Sequence, residues 1–250
     1  MPRIFELERN TIIMSSLDSL SKFVVWGMPH RCIDDTHVKL LETCLQSIRA
    51  IYQWHHIVIV DSDSPKKDHL PQLCEKYNAV VAPQINKNYE SGAWKIIYEE
   101  CKADYYCFIH DSCRLARPLG DTFAVPVAAY RCVPNTPEMW YGLKTVESMR
   151  VDVERSLQGT KWSIPDNFMT LVGNMMFADA SVVKSLYDNG YFNVLPVNKH
   201  EAQCWERRLG ACLGHDGYTE ILSKYQNQIG AWSHGKPVDS KIFKRWLKRQ

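Results

Sequence analysis

The chain has 250 residues, of which 45% are hydrophobic and 23% charged, a composition that excludes disordered, collagen-like and coiled-coil proteins. Its 30 basic and 28 acidic side chains leave a net charge of +2, which argues against a dedicated nucleic-acid binder. Because we find no apolar run long enough for a membrane span or a signal peptide, we expect a cytoplasmic protein.

The first half of the chain repeats one pattern, a short apolar run followed by a polar turn and a stretch with helical spacing. This alternation predicts an α/β fold with a mostly parallel sheet flanked by helices, because parallel neighbours need crossovers of this length. The predicted strands are 22–28, 56–60, 79–83 and 105–109, and the predicted helices are 36–52, 68–77 and 91–101.

The second half is less regular. Its patterns predict a helix over 138–157, an apolar strand over 169–178, and helices near 181–189 and 201–212. We place a soft boundary near Leu119, within one domain rather than between two. The expected parts are an N-terminal arm (1–21), two halves (22–119 and 120–237) and a terminal segment (238–250).

Two polar clusters follow predicted strands, at residues 61–64 and 110–112. Each cluster alone is equally consistent with a helix-capping turn. The carboxyl ends of parallel strands meet at one edge of a sheet, where ligands of α/β proteins bind. Two clusters at that edge therefore favour a binding site.

Several familiar chemistries are absent from the sequence. There is no GxxxxGK[ST] motif, and no GxGxxG motif follows the first strand, which argues against a P-loop and against a dinucleotide cofactor. The nine cysteines include no CxxC pair. Residues 231–235 have the outline of a nucleophile elbow, but no histidine follows them to act as base.

The arrangement resembles the GT-A fold of nucleotide-sugar-dependent glycosyltransferases, most closely the family-two type, over roughly residues 22–236. In that family the second strand ends in D-[DN]-x-S, matched here by Asp61-Ser62-Asp63-Ser64. The resemblance implies that Asp61 contacts the nucleotide base and that Asp63 lies at the same donor site. A carboxylate suits the first role because it accepts the N–H of a uracil or guanine edge.

The family's A-R-N and D-x-D motifs correspond to residues 93–95 and 110–112. His110 and Ser112 stand where the family has its outer carboxylates, which leaves Asp111 to bind the Mn²⁺ or Mg²⁺ that bridges the donor diphosphate. A cationic side chain can also neutralise a diphosphate. The candidates for that role are Lys95, Arg114 and Lys236.

The apolar strand around Gly173 resembles the family's strand beneath the acceptor sugar, and residues 201–209 resemble its E-D-x-x-x-x-x-R-L helix. Ala202 replaces the family's catalytic Asp. The resemblance therefore leaves Glu201 or Glu206 as the general base, with Glu201 favoured because it aligns with the neighbouring acid. Solvent-exposed acids on a helix face are an equally good interpretation.

The C-terminal residues carry two further patterns. His234-Gly235-Lys236-Pro237 is similar to a motif of some GT-A enzymes, in which His binds the metal and Lys the diphosphate. Residues 238–250 predict a basic amphipathic helix, which either packs on the core or makes peripheral contact with an anionic membrane.

These patterns predict a glycosyltransferase that moves a sugar from a nucleoside diphosphate sugar to a hydroxyl of a glycan, lipid or protein. Two alternatives remain open. Changes at three motif positions, His110, Ser112 and Ala202, are consistent with an inactive GT-A-like domain that binds a glycan or a partner. A nucleotidyltransferase would also use carboxylates at strand ends, although residues 27–31 are a poor match to its usual Gly-rich loop.

Overall fold

A computed structural model of the protein describes residues 22–135, 144–224, 230–232 and 242–244. The helices are α1 (Asp35–Ile51), α2 (Leu70–Tyr77), α3 (Tyr89–Glu100), α4 (Lys144–Leu157), α5 (Ala180–Asp188), α6 (Lys199–His215) and α7 (Thr219–Lys224). The strands are β1 (Val24–His30), β2 (His56–Asp61), β3 (Val80–Val81), β4 (Tyr105–Phe108), β5 (Cys113–Leu115), β6 (Val127–Ala129), β7 (Cys132–Asn135), β8 (Phe168–Leu171), β9 (Met176–Asp179), β10 (Gly230–Trp232) and β11 (Ile242–Lys244).

The largest sheet of the described chain has six strands in the order β3-β2-β1-β4-β9-β6. The first four are parallel, and β9 runs antiparallel to both of its neighbours. The mostly parallel sheet with flanking helices confirms the predicted α/β class and agrees with the GT-A resemblance. The register pairs His30 of β1 with Asp61 of β2, so the carboxyl ends of these two strands lie side by side.

Alternating side chains of the central strands enter two hydrophobic cores, one on each face of the sheet. In β1, Val25 belongs to the core that includes α3 and α6, whereas Trp26 and Met28 belong to the core that includes α1 and α2. Such strands are apolar on both faces, as expected for a sheet covered by helices on both sides. The helices thus fix the strand ends from both faces.

The predicted helix over 36–52 is α1, which is capped by Asp34, two residues before its predicted start. The side chain of Asp34 accepts hydrogen bonds from the backbone N–H groups of Thr36 and His37, at 2.9 and 3.2 Å. A carboxylate at this position satisfies two backbone donors that the first helical turn leaves free. The helix consequently begins at Asp35.

The apolar run predicted as one strand over 169–178 is two strands, β8 and β9. Between them Gly173 and Asn174 have positive φ angles of 70° and 53°. Gly and Asn are the residues that adopt this left-handed conformation at least cost. The turn lets β9 join the central sheet beside β4, while β8 pairs with β7.

The predicted C-terminal helix is wrong at 242–244, where the chain forms β11. This strand pairs antiparallel with β5 and parallel with β10. The reason is that Ile242 and Phe243 are strand formers and β5 offers its edge for pairing. The rest of 238–250 lies outside the described residues, and none of the described helices is long and apolar enough to cross a membrane.

Candidate active site at the carboxyl edge of the sheet

Asp61 is the last residue of β2, and it is 95% buried. Its Oδ1 accepts a hydrogen bond from the backbone N–H of Ser64 at 3.0 Å, and its Oδ2 lies 2.7 Å from Nζ of Lys67. Burial works to raise the pKa of this carboxyl, but the bonds from Lys67 and Ser64 outweigh burial and lower it. Asp61 is therefore a fixed carboxylate at the strand end, as the motif predicts.

Asp111 follows β4 and reaches across to the end of β1. Its Oδ2 accepts a hydrogen bond from Nδ1 of the fully buried His30 at 2.7 Å. Because β1 lies between β2 and β4, Asp61 and Asp111 stand on either side of His30. The strand order changes direction between β1 and β4, and α/β folds bind ligands at this switch point.

His110 is joined to the turn between β8 and β9. Its Nε2 donates to the carbonyl oxygen of Gly173 at 2.8 Å, which assigns the proton to that nitrogen. Oε1 of Glu90, at the start of α3, lies 3.5 Å from the same atom. A Cβ at Gly173 would lie 3.3 Å from Nε2 of His110, so the absence of a side chain there allows this close approach.

Glu206 binds the same glycine through the other backbone group. Its Oε1 accepts a hydrogen bond from the backbone N–H of Gly173 at 2.9 Å. Gly173 therefore connects Glu206 on α6 with His110 after β4. Of the two acids predicted as general base, Glu206 is the one that the structure brings to the edge cluster.

Glu201 instead caps the helix that carries it. Its two carboxylate oxygens accept bonds from the backbone N–H of Val197 at 2.8 Å and from Nδ2 of Asn198 at 2.7 Å. The side chain of Asn198 in turn accepts from the backbone N–H of Glu201. This reciprocal arrangement is a variant of the capping box, in which the carboxylate binds the backbone N–H before the N-cap, so it assigns Glu201 a structural role at the start of α6.

The other predicted residues are less closely joined to this cluster. Lys95 lies on α3 beyond Glu90, and its Nζ is 3.9 Å from Glu99, which also accepts a bond from Tyr187 of α5. Asp63 and Arg114 are exposed, and Ser112 is half-buried directly after Asp111. The predicted metal ligand His234 and the predicted diphosphate contact Lys236 lie outside the described residues.

Two residues of the cluster were not predicted from the sequence: His30 and Glu90. His30 ends a strand that gave no polar signal beyond one histidine, and its importance depends on the strand order. Glu90 follows Tyr89, whose φ of 53° is unusual for an aromatic residue. A pattern search does not detect such a turn, although strained backbone of this kind is concentrated at functional sites.

The turn before α3 is fixed by Asn86. Its Nδ2 donates to the carbonyl oxygen of Tyr89 at 2.7 Å, and its Oδ1 accepts from the backbone N–H of Asn88 at 2.9 Å. A Cβ at Gly92 would lie 2.3 Å from Oδ1 of Asn86, so only glycine fits there. These contacts hold Glu90 towards His110.

A separate surface groove of about 480 Å³ lies beside α4 and the loop that follows it. Its lining includes Arg150, Glu154 and Trp162, and none of the predicted site residues contributes to it. The groove is therefore distinct from the carboxylate cluster at the sheet edge.

Comparison with known proteins gives similarity at the level of solved structures. No protein-family model matches the chain, and neither does any curated protein. The chain is similar to mannosyltransferase PcManGT from Pyrobaculum calidifontis, solved in complex with GDP-Man and Mn²⁺, with 16% identity and a TM-score of 0.41 over 67% of this chain and 47% of that one.

The chain is also similar to mannosyl-3-phosphoglycerate synthase from Rubrobacter xylanophilus, with 19% identity and a TM-score of 0.35 over 64% of this chain and 54% of that one. It thus spans about half the length of each of these two enzymes. At this level the similarity concerns overall architecture and assigns no residue a role.

Proposed function

We propose that the protein is a glycosyltransferase that moves a sugar from a nucleoside diphosphate sugar to a hydroxyl of a glycan, lipid or protein. The observation that carries the proposal is the placement of Asp61 and Asp111 on either side of the end of β1, at the switch point of the sheet. The D-[DN]-x-S resemblance at Asp61 supports it. The Pyrobaculum enzyme was solved with GDP-Man, so GDP-Man is one candidate donor to test with this protein.

Asp61 would receive the nucleotide base. Its oxygens accept hydrogen bonds from Lys67 and Ser64, and a carboxylate has about four acceptor positions, so room for a base N–H remains. The nearby Lys67, bound to Oδ2, keeps the group ionised and oriented. This role needs a carboxylate that is fixed before the donor arrives, which is what these bonds provide.

Asp111 fits a divalent cation of the Mn²⁺ or Mg²⁺ type. Its Oδ2 is bound to His30, while Oδ1 has no hydrogen bond within the described chain and the side chain is 19% exposed. Magnesium-type sites commonly use one or two carboxylates and complete the shell with substrate phosphates and water. Such a cation, when bound, would neutralise charge on the leaving diphosphate.

Glu206 is our proposed general base. The Gly173 N–H fixes one carboxylate oxygen at 2.9 Å, and the same residue's carbonyl is held by His110, so the carboxylate lies beside the residues that follow β4. Its task would be to take the proton of the acceptor hydroxyl as the sugar is transferred. Glu201, which was favoured from the sequence, is occupied by the cap of α6.

The test is thermal unfolding of the full chain with UDP-, GDP- and dTDP-sugars, each with Mn²⁺ and with EDTA. One nucleotide class at 100 times its dissociation constant should add about 2.7 kcal/mol to the free energy of unfolding. Asp111→Asn should abolish the Mn²⁺-dependent part of the shift. The matched control is Asp188→Asn, which changes an exposed acid on α5 and should leave the shift intact.

The absence of a shift with every donor would overturn the proposal. A shift without detectable hydrolysis or transfer, unchanged by Glu206→Gln, would favour the alternative of a binding domain without activity. Release of nucleoside diphosphate that is lost in Glu206→Gln, with the thermal shift retained, would support the transferase.

A further inference from the structure

We propose that His30, Cys32 and His69 form a binding site for Zn²⁺, or a transition-metal ion of the same class, on the outer side of the His30–Asp111 pair. His30 ends β1, Cys32 follows it by two residues, and His69 directly precedes α2. The site is new with respect to the donor site described above, and it does not depend on the proposed transferase activity.

The ligand atoms already lie close together. Nε2 of His30 is 2.9 Å from Nε2 of His69, and the donor atoms of all three residues lie within 4.8 Å of one another. A tetrahedral zinc ion with its usual bond lengths separates two nitrogens by about 3.3 Å and a nitrogen from a sulfur by about 3.6 Å. Ångström-scale movement of the three side chains would therefore give bonding distances.

The two imidazoles already face each other through the nitrogens that a metal would use. Their 2.9 Å contact is an N–H···N hydrogen bond in which Nε2 of His69 donates to the lone pair on Nε2 of His30, and a metal ion that displaces this proton would be ligated by both rings. With a thiol on the same side, a metal ion gains a third ligand, which a proton cannot use. Two imidazoles and one thiolate suit zinc better than the hard cations that prefer oxygen ligands.

Asp111 completes the arrangement from the far side of the His30 ring. Its Oδ2 accepts the Nδ1–H of His30 at 2.7 Å, which assigns the proton to Nδ1 and leaves Nε2 with the lone pair that faces His69. A carboxylate on the second nitrogen of a ligating histidine is the usual partner in zinc sites, where it fixes the ring and its tautomer.

The backbone that carries the ligands is tied together before any metal binds. The backbone N–H of Cys32 donates to Oγ of Ser64 at 2.8 Å, and the N–H of Lys66 donates to the carbonyl oxygen of Cys32 at 3.4 Å. These bonds join the loop after β1 to the segment that leads to His69. His30 and Cys32 are fully buried, and His69 is half-buried, which leaves access for an ion from its side.

A bound ion would act on the donor site through His30. Fixing the His30 ring fixes the hydrogen bond to Asp111 and thereby orients the carboxylate towards the cleft. His30 is then a positioning residue for Asp111. Cys32 must lose its thiol proton to solvent to bind as a thiolate, so each ion bound releases a proton.

A second cluster provides an internal comparison. Oδ2 of Asp152, Nε2 of His200 and Sγ of Cys204 also lie within 4.8 Å of one another, on α4 and α6. Its Asp152–His200 contact of 2.9 Å is an ordinary hydrogen bond, and Arg155 also binds Asp152. With no carboxylate behind the histidine in its described contacts, this cluster is the weaker candidate and supplies the control.

The experiment is a Co²⁺ titration of the full chain, first treated with EDTA and kept reduced without a thiol reagent. One equivalent of Co²⁺ should produce the near-ultraviolet charge-transfer band of a cobalt thiolate, and Zn²⁺ should remove it. Cys32→Ser should abolish the band, His69→Ala should weaken binding at least about 100-fold, and Asp111→Asn should weaken it about 10- to 100-fold. Cys204→Ser should change nothing.

Circular dichroism of each variant in EDTA checks that it folds. If Cys32→Ser does not fold, His69→Ala, which changes a half-buried side chain, tests the site in its place. A wild-type chain without a stoichiometric thiolate band overturns the proposal, as does a band that is lost in Cys204→Ser and kept in Cys32→Ser. Because no nucleotide is present, either result is independent of the outcome for the transferase.

Discussion

At the scale of single residues, the Asp61 carboxylate gives a direct test of the electrostatics of the site. Asp61→Asn removes the charge that Lys67 and the Ser64 N–H stabilise, and we expect it to lower the free energy of unfolding at pH 7 by roughly 1–2 kcal/mol. Because the folded-state pKa of Asp61 lies below 3.8, its stabilisation is complete above that value and is lost as the pH falls through the folded pKa.

The measurement is urea unfolding of both proteins in steps from pH 7 downwards, and the difference between them should begin to shrink only when the pH falls below 3.8. Asp63→Asn is the matched control, since Asp63 is exposed and its φ of 58° is one that Asn tolerates. The control should stay within about 0.5 kcal/mol of the wild type. A difference between Asp61→Asn and wild type that persists unchanged at acid pH would contradict the assignment.

At this scale the sequence predicted the positions of two edge residues. Asp61 and Asp111 follow apolar strands, a signal that is local, and the structure places both at the carboxyl edge of the sheet, while their roles in donor binding stay predictions. The positions of His30 and Glu90 depend on contacts between elements distant in the chain. His30 lies at the site because of the strand order, and Glu90 because of the Asn86 turn and the close approach of Gly92. Neither contact leaves a periodic pattern or a motif in the sequence.

At the scale of elements, the position of α6 decides where Glu206 lies. Gly210, one turn further along, packs so closely on β8 that a Cβ would lie 2.0 Å from the carbonyl oxygen of Met169. Gly210→Ala should therefore destabilise the protein by at least about 2 kcal/mol, although alanine is the better helix former. The shift of α6 should also weaken donor turnover by displacing Glu206.

Guanidinium unfolding measures this effect, and Gln203→Ala on the exposed face of the same helix is the control. The control should remain within about 0.5 kcal/mol of wild type. Equal stability of Gly210→Ala and wild type would show that α6 does not contact β8 as described. The sequence alone does not show that Gly210 is required, because the atom that excludes a side chain there belongs to another element, β8.

The bounds of the strands were also predicted well where the signal is local and missed where it comes from another element. The strands β1, β2 and β4 were predicted close to their observed bounds because their apolar, β-branched runs are buried on both faces. The split of 169–178 into β8 and β9 was missed, since Gly173 and Asn174 interrupt the strand without interrupting the apolar pattern. The strand β11 was missed because its apolar residues also fit a helical face, and its partner β5 is distant in sequence.

At the scale of the whole molecule, the two halves share one sheet. β4 belongs to the first half and β9 to the second, and they pair through four residues in register, Tyr105 with Asp179 through Phe108 with Met176. One core also combines both halves, with Ile97 of α3 and Leu209 of α6 fully buried in it. We therefore propose that the halves are one folding unit.

This arrangement predicts a single cooperative unfolding transition. Because Trp94 and Trp205 lie in the two halves, tryptophan fluorescence and far-ultraviolet circular dichroism should give coincident urea curves. Ile97→Val, in the first half, should lower the stability by about 0.5–1.5 kcal/mol and move both curves together. Separate transitions, or a shift of only one probe, would mean that the halves unfold independently. Coincident curves would mean that a ligand held by Asp61 and Asp111 in the first half also stabilises the helix that carries Glu206 in the second.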